Sequence, residues 1–353
     1  MHARSMEFRI AIVSLSGAVV WAAIAVFVGL RRAPLGVTEL LFLFAVLVVV
    51  PLGLELARAE NGGSVGTHVV TVFQPLAALA VVTSFWQRPG LVGAVLSVPW
   101  FVLGVLVAAR GVWNFYRNPK RSLADLAVSV AGVDLAFAGG WLVVSRAGLC
   151  PMGFQEPMVL LTAVHFHYSG FAVATIAAAA LRECERRSVG IGVLPAIVWL
   201  VLFLPFVLAA GFVIAPVLRV VGAVGLALSV PALALYLFSI AKTLKLPVAR
   251  IYLRTGAAAA WIAMGLAGAY AVTDYVGRAF LTMPGMASTH GVLNGIGFVL
   301  FSMLAFVMEE SANELAASSD IIEKRSTTVA PRKRPSSVPT TVPEFVAREF
   351  YDR

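Results

Sequence analysis

Gly190 to Ala241 reads GIGVLPAIVWLVLFLPFVLAAGFVIAPVLRVVGAVGLALSVPALALYLFSIA, and Arg219 is the one charged side chain in it. A soluble helix needs a polar face, and this stretch has none. A bilayer core about 30 Å thick is crossed by roughly 20 apolar residues, so the stretch holds two crossings. Gly211 to Pro216 is where the turn between them is expected.

The same reading extends in both directions. Apolar runs occupy about 10–30, 36–57, 67–87, 90–109, 123–144, 157–181, 190–212, 217–241, 253–276 and 286–308, which predicts ten spans. Composition agrees. Of 353 residues 60% are hydrophobic and 13% charged, with a mean hydropathy of +0.90. Soluble domains carry about 25% charged residues. The fold class is therefore all-α, a polytopic transmembrane bundle in the cell membrane, with membrane lipids as its surroundings. The first run is followed by Arg31-Arg32 instead of a small-residue cleavage site, so it reads as a signal anchor.

The net charge of +9 marks topology rather than a nucleic-acid partner. Ten spans put Arg4, Arg9, Arg58, Arg110, Arg117, Lys120, Arg121, Arg182, Arg186, Arg187, Lys242, Lys245, Arg250 and Arg254 on one side. Arg31, Arg32, Arg88, Arg146 and Arg278 fall on the other, a bias of 14 to 5. Basic residues stay inside, so both termini are expected to be cytoplasmic. Arg219 is left to snorkel at one end of the eighth span. Residues 1–310 form the membrane domain. Residues 311–353, with Pro331-Arg332-Lys333-Arg334-Pro335, read as a disordered basic and polar cytoplasmic tail. Cys150 and Cys184 sit at opposite ends of one span, too far apart for a disulfide.

Ionisable groups at membrane depth are costly and point to function. The sixth span enters from outside and carries His165-Phe166-His167-Tyr168 roughly 12–17 Å deep. The tenth also enters from outside, with His290 and Asn294 four residues apart on one face. Gly291 and Gly295 on the adjoining face permit close helix approach. Asp134 lies in the fifth span, and Tyr270 and Asp274 near the outer end of the ninth. These groups predict a pocket in the outer half. His165 and His167 are about 200° apart around their helix, so only one is expected to face it. On the inner side Glu55, Glu60, Asn61 and His68 surround a turn, Glu55 being the most buried.

The string Leu161–Phe171, LTAVHFHYSGF, resembles the hallmark of the YndJ-like membrane proteins. His290-Gly291 with Asn294, Gly295 and Phe298 is similar to their second motif, and Ser145-Arg146-Ala147-Gly148 also looks alike. The resemblance covers roughly residues 120–310 and marks residues rather than a reaction. His-Phe-His-Tyr also resembles the haem-ligand segment of haem–copper oxidase subunit I. With five histidines the chain cannot assemble a copper–haem centre, but the resemblance implies a bis-histidine haem as one reading.

No zinc-protease, Cys-x-x-Cys, phosphate-loop, dinucleotide or nucleophile-elbow motif is present. The expectation is an enzyme without a cofactor that works on a lipophilic small molecule by acid–base catalysis, of isomerase or cyclase type. His165, His167, His290, Asp134 and Asp274 are the catalytic candidates. Tyr168, Asn294, Tyr270 and Glu55 are the substrate-binding candidates. The alternatives are a secondary transporter, possibly proton-coupled, and a haem or metal site made by His165 or His167 with His290.

Overall fold

No water satisfies backbone groups in hydrocarbon, so an apolar chain must close its hydrogen bonds within helices. A computed structural model describes residues 2–32, 35–57 and 65–328, and among these it contains helices and no strand. Ten helices follow in order. They are α1 (His2–Gly29), α2 (Val37–Leu56), α3 (Val65–Phe85), α4 (Leu91–Arg117) and α5 (Leu123–Ala147). After them come α6 (Met158–Arg186), α7 (Leu194–Val213), α8 (Pro216–Ala241), α9 (Pro247–Tyr275) and α10 (Met283–Ala317, helical on to Thr328). Eight are long and apolar enough to cross a membrane, and α1 and α3 hold the shorter apolar stretches Val13–Gly29 and Val72–Phe85. The polytopic bundle read from hydropathy is the observed fold, and the α7–α8 turn falls between Val213 and Pro216, as expected.

Several helices outrun their apolar segments. α4 continues to Arg117 instead of stopping near 109, and α9 begins at Pro247 instead of 253. Hydropathy marks only the hydrocarbon crossing, whereas the helix persists into the headgroup layer, where arginine and lysine are at home. α10 likewise passes residue 311, the boundary drawn for the tail. The chain divides into two compact units, Met1–Ser311 and Ala312–Arg353. Residues 329–353, including the basic cluster, lie outside the described residues, as do Glu60, Asn61 and the side chain of His68. Cys150 is exposed and Cys184 buried, and both are free.

Lipid supplies no hydrophobic drive between helices, so small residues let backbones approach. A Cβ on Gly17 of α1 would stand 2.0 Å from the Leu47 carbonyl oxygen of α2. Between α4 and α5, a Cβ on Gly104 would meet the Ala136 backbone at 2.7 Å, and one on Gly139 would meet that of Phe101 at 2.9 Å. Gly17→Val is accordingly expected to lower stability by about 1–3 kcal/mol or more, since overpacking against backbone cannot be relieved by a rotamer change. Thermal melting of the purified variant beside wild type checks this; an unchanged midpoint would refute the close approach.

Three helices are not regular. α2 widens to π geometry over Ala45–Val49, α6 over Phe166–Ala172, and α10 over Ala287–Gly291 and Leu293–Leu300. In α2, Pro51 has no N–H to give the preceding turn, and Gln74 Nε2 from α3 donates to the Val46 carbonyl instead, at 3.2 Å. The three widened helices touch one another. Tyr168 donates its hydroxyl to the Leu41 carbonyl at 2.8 Å. The expected glycine pair serves here: a Cβ on Gly291 would lie 2.8 Å from Leu41 Cδ1, and one on Gly295 3.1 Å from the Tyr168 ring.

At the opposite end of α6 an ionic clasp joins distant segments. Glu309 of α10 is 1% exposed and accepts from Arg187 Nη2 (2.8 Å) and from the backbone N–H of Lys245 (2.7 Å) and Leu246 (3.1 Å). Arg187 also pairs with Glu183 and donates to the Thr243 carbonyl at 2.6 Å.

Candidate functional site

The ends of α6, α7, α8, α9 and α10 on one face, with Leu41 of α2, enclose a cavity of about 380 Å³. Drug-sized ligands occupy pockets of roughly 300–1,000 Å³. The charge alternation assigns this face to the outer side, where the pocket is expected. Most of the wall is apolar. Its floor is formed by Val173, Leu226, Val230, Met264 and Val299.

His165, His290, Asn294 and Tyr168 all line it. His165 ends the regular part of α6, where the helix widens. Its Nε2 is buried and has no hydrogen-bond partner among the described residues. His290 Nδ1 lies 2.9 Å from the Ala263 carbonyl, which fixes the proton on that nitrogen. Asn294 Nδ2 sits 3.1 Å from His290 Nε2, one turn along the helix. Tyr168 presents its ring, while its hydroxyl is taken by Leu41. Tyr270, Asp274 and Arg219 line the cavity nearer the mouth, where Arg219 Nη2 and Asp274 Oδ2 pair at 3.1 Å with side chains 33% and 35% exposed.

The other candidates lie elsewhere. His167 is fully buried away from the cavity. Its Nδ1 is 2.7 Å from the Ala163 carbonyl, and its Nε2 accepts from Trp100 Nε1 at 3.0 Å, so both nitrogens are committed to packing. Phe42 covers the same ring edge-on at 4.9 Å. Asp134 is 1% exposed and does not line the cavity. It packs behind α6, where a Cβ on Gly170 would meet its Cγ at 2.7 Å, and neither oxygen has a hydrogen-bond partner among the described residues. Glu55 sits near the inner end of α2 and is not part of the wall. Among the described residues no three His, Cys, Asp or Glu side chains gather as a metal site.

Arg219 is the wall residue that sequence reasoning missed. Its position near an interface suggested snorkelling, and the usable signal was a second charge, Asp274, at the same expected depth on the following helix.

Comparison with known proteins agrees with the family resemblance. A model of the YndJ-like protein family matches residues 40–298. The uncharacterized membrane protein YndJ of Bacillus subtilis (strain 168) is 24% identical over 315 residues, covering 85% of this chain and 54% of its own length. The chain thus spans about half the length of that relative. No solved structure matches. The family match over residues 40–298, on a polytopic helical bundle, places this chain in the YndJ-like family of membrane proteins, to which it belongs.

Proposed function

We propose that the chain is a membrane-embedded enzyme that rearranges a lipophilic small molecule by acid–base chemistry, of isomerase or cyclase type. One observation carries this. His165 stands on the wall of an apolar cavity with a ring nitrogen that has no hydrogen-bond partner among the described residues. A neutral imidazole nitrogen is a proton acceptor, and a general base within reach of substrate contributes about 10²–10⁴-fold. An isomerisation takes a proton from one carbon and returns it to another, so electrons balance without a redox cofactor. The His165 imidazole is the proton carrier. His290, oriented by the Ala263 carbonyl, and Asn294 face the same space and hold a substrate oxygen or relay a second proton. The apolar floor supports an enzyme over a transporter, because beyond Asn294 and Ser169, whose hydroxyl is spent on the His165 carbonyl, the wall toward the inner face is apolar.

The test compares the metabolites of cells with the intact chain, without it, and with His165→Ala or His290→Ala. The expected result is loss of a product and accumulation of a precursor of the same mass in all three altered strains. Unchanged chemistry with a compound redistributed across the membrane would overturn the enzyme reading in favour of transport. A Soret band or stoichiometric metal in the purified protein would instead assign His165 and His290 to haem or metal ligation.

A further inference from the structure

The cavity wall has two polar tiers. The upper is the Arg219–Asp274 pair at the mouth, joined by Tyr270. The lower is the imidazole layer of His165 and His290. On α6 and α10 alike, seven residues separate the mouth (Met158, Met283) from the histidine, which is roughly 10 Å of helix rise. Between the tiers the wall is mainly apolar, with Leu161, Phe212 and Met286 among its residues. The one hydroxyl there that could compete for a ligand, that of Thr162, is spent on the Met158 carbonyl at 3.0 Å. Below the imidazoles the wall runs eight residues further along α6, roughly 12 Å, to Val173 and the apolar floor.

The upper tier is built to grip an anion. Arg219 stands beside the Phe212 ring at 5.4 Å, which steadies the guanidinium from one side. It is bonded to Asp274 through Nη2, and a guanidinium has five N–H donors in a planar fork. The remaining N–H groups can donate to a second oxyanion. Both side chains are about one-third exposed, so a head group reaches them from the outer leaflet without entering hydrocarbon.

We infer that the ligand of this cavity is a single-chain amphiphile with an anionic oxygen head, phosphate or carboxylate, seated on Arg219, its reacting group about 10 Å further in at His165 and His290, and an apolar end on the floor. This rests on the reading of the cavity as the site of a lipophilic substrate. Asp274 is then a counter-charge that holds Arg219 at the mouth and competes with the head group; it does not take part in proton transfer at the imidazoles.

The test uses the full chain in lipid nanodiscs and three probes of one chain length: dodecyl phosphate, dodecanol and dodecyltrimethylammonium. Binding is measured after subtraction of empty nanodiscs. Wild type is expected to hold dodecyl phosphate about tenfold or more tightly than the other two, the worth of one charge-assisted hydrogen bond. Arg219→Gln removes that preference and Arg219→Lys keeps part of it. Asp274→Asn moves the other way, tightening dodecyl phosphate, which keeps the inference open to refutation if Arg219→Gln fails to fold. Equal binding of the three probes by wild type, or unchanged or weaker dodecyl phosphate binding by Asp274→Asn, overturns it. The two readings fail separately. A head-group preference in a chain whose His165→Ala variant keeps full product formation sinks the acid–base reading alone. Loss of product in that variant with no preference among the probes sinks the present inference alone.

Discussion

His165→Gln is expected to leave the helical bundle intact and to lower turnover by about 10²–10⁴-fold, the contribution of a positioned general base. Glutamine fills a similar volume on the cavity wall and keeps hydrogen-bonding capacity, but it does not titrate. The matched control is His167→Gln, two residues away. Both nitrogens of that ring are engaged, by Ala163 and Trp100, so this variant is expected to lose stability while keeping activity per folded molecule. The measurement is product formation normalised to the monodisperse protein recovered by size exclusion. Full turnover in His165→Gln, or equal loss in both variants, would show that the imidazole has no role in proton transfer.

The contrast between these two histidines shows how far sequence reached. Helical periodicity placed them about 200° apart and so required a choice. Nothing in the string HFHY made that choice, because it depends on Trp100 and Phe42 arriving from other helices. Position along each span was legible, since the hydropathy runs and the rise per residue order the groups along their helices. Azimuth was not. Asp134 has the right depth but faces Gly170 behind the cavity helix, and Arg219 looked like an interfacial cation until α9 brought Asp274 to it. The π segments were invisible for another reason: they are shifts in hydrogen-bond partner and change no composition.

Glu309→Ala is the substitution with the largest expected effect on stability. It removes a buried carboxylate that accepts from one guanidinium and two backbone N–H groups, and it leaves Arg187 partly unpaired where that residue is mostly buried. Breaking such a pair from one side costs about 3–5 kcal/mol. The loss falls on three segments at once, because the clasp joins the end of α6, the α8–α9 turn and α10. Glu309→Gln keeps one acceptor oxygen, which serves Lys245 N–H and the Arg187 guanidinium but not Leu246 N–H, and is expected to recover part of the loss. Unfolding monitored by far-UV circular dichroism in graded denaturing detergent ranks the three proteins. A midpoint for Glu309→Ala equal to wild type would mean that the clasp is ornamental. In the sequence Glu309 stands next to the boundary drawn between the membrane domain, 1–310, and the tail, with nothing to mark its partners.

A widened turn is, in genetic terms, one residue too many for a regular helix. The Phe166–Ala172 segment therefore behaves as an insertion that the rest of the helix has been fitted around. Removing one residue from it would let α6 close into regular turns with its two flanking stretches kept nearly in phase, so that the change would fall on the residues of the widened segment itself. Tyr168, inside the segment, would then lose its register with Leu41 of α2 and Gly295 of α10, although no histidine of the cavity wall had been altered. The length of each widened segment is thus itself under constraint, and insertions or deletions are expected to be tolerated in the loops and tails rather than inside these three helices.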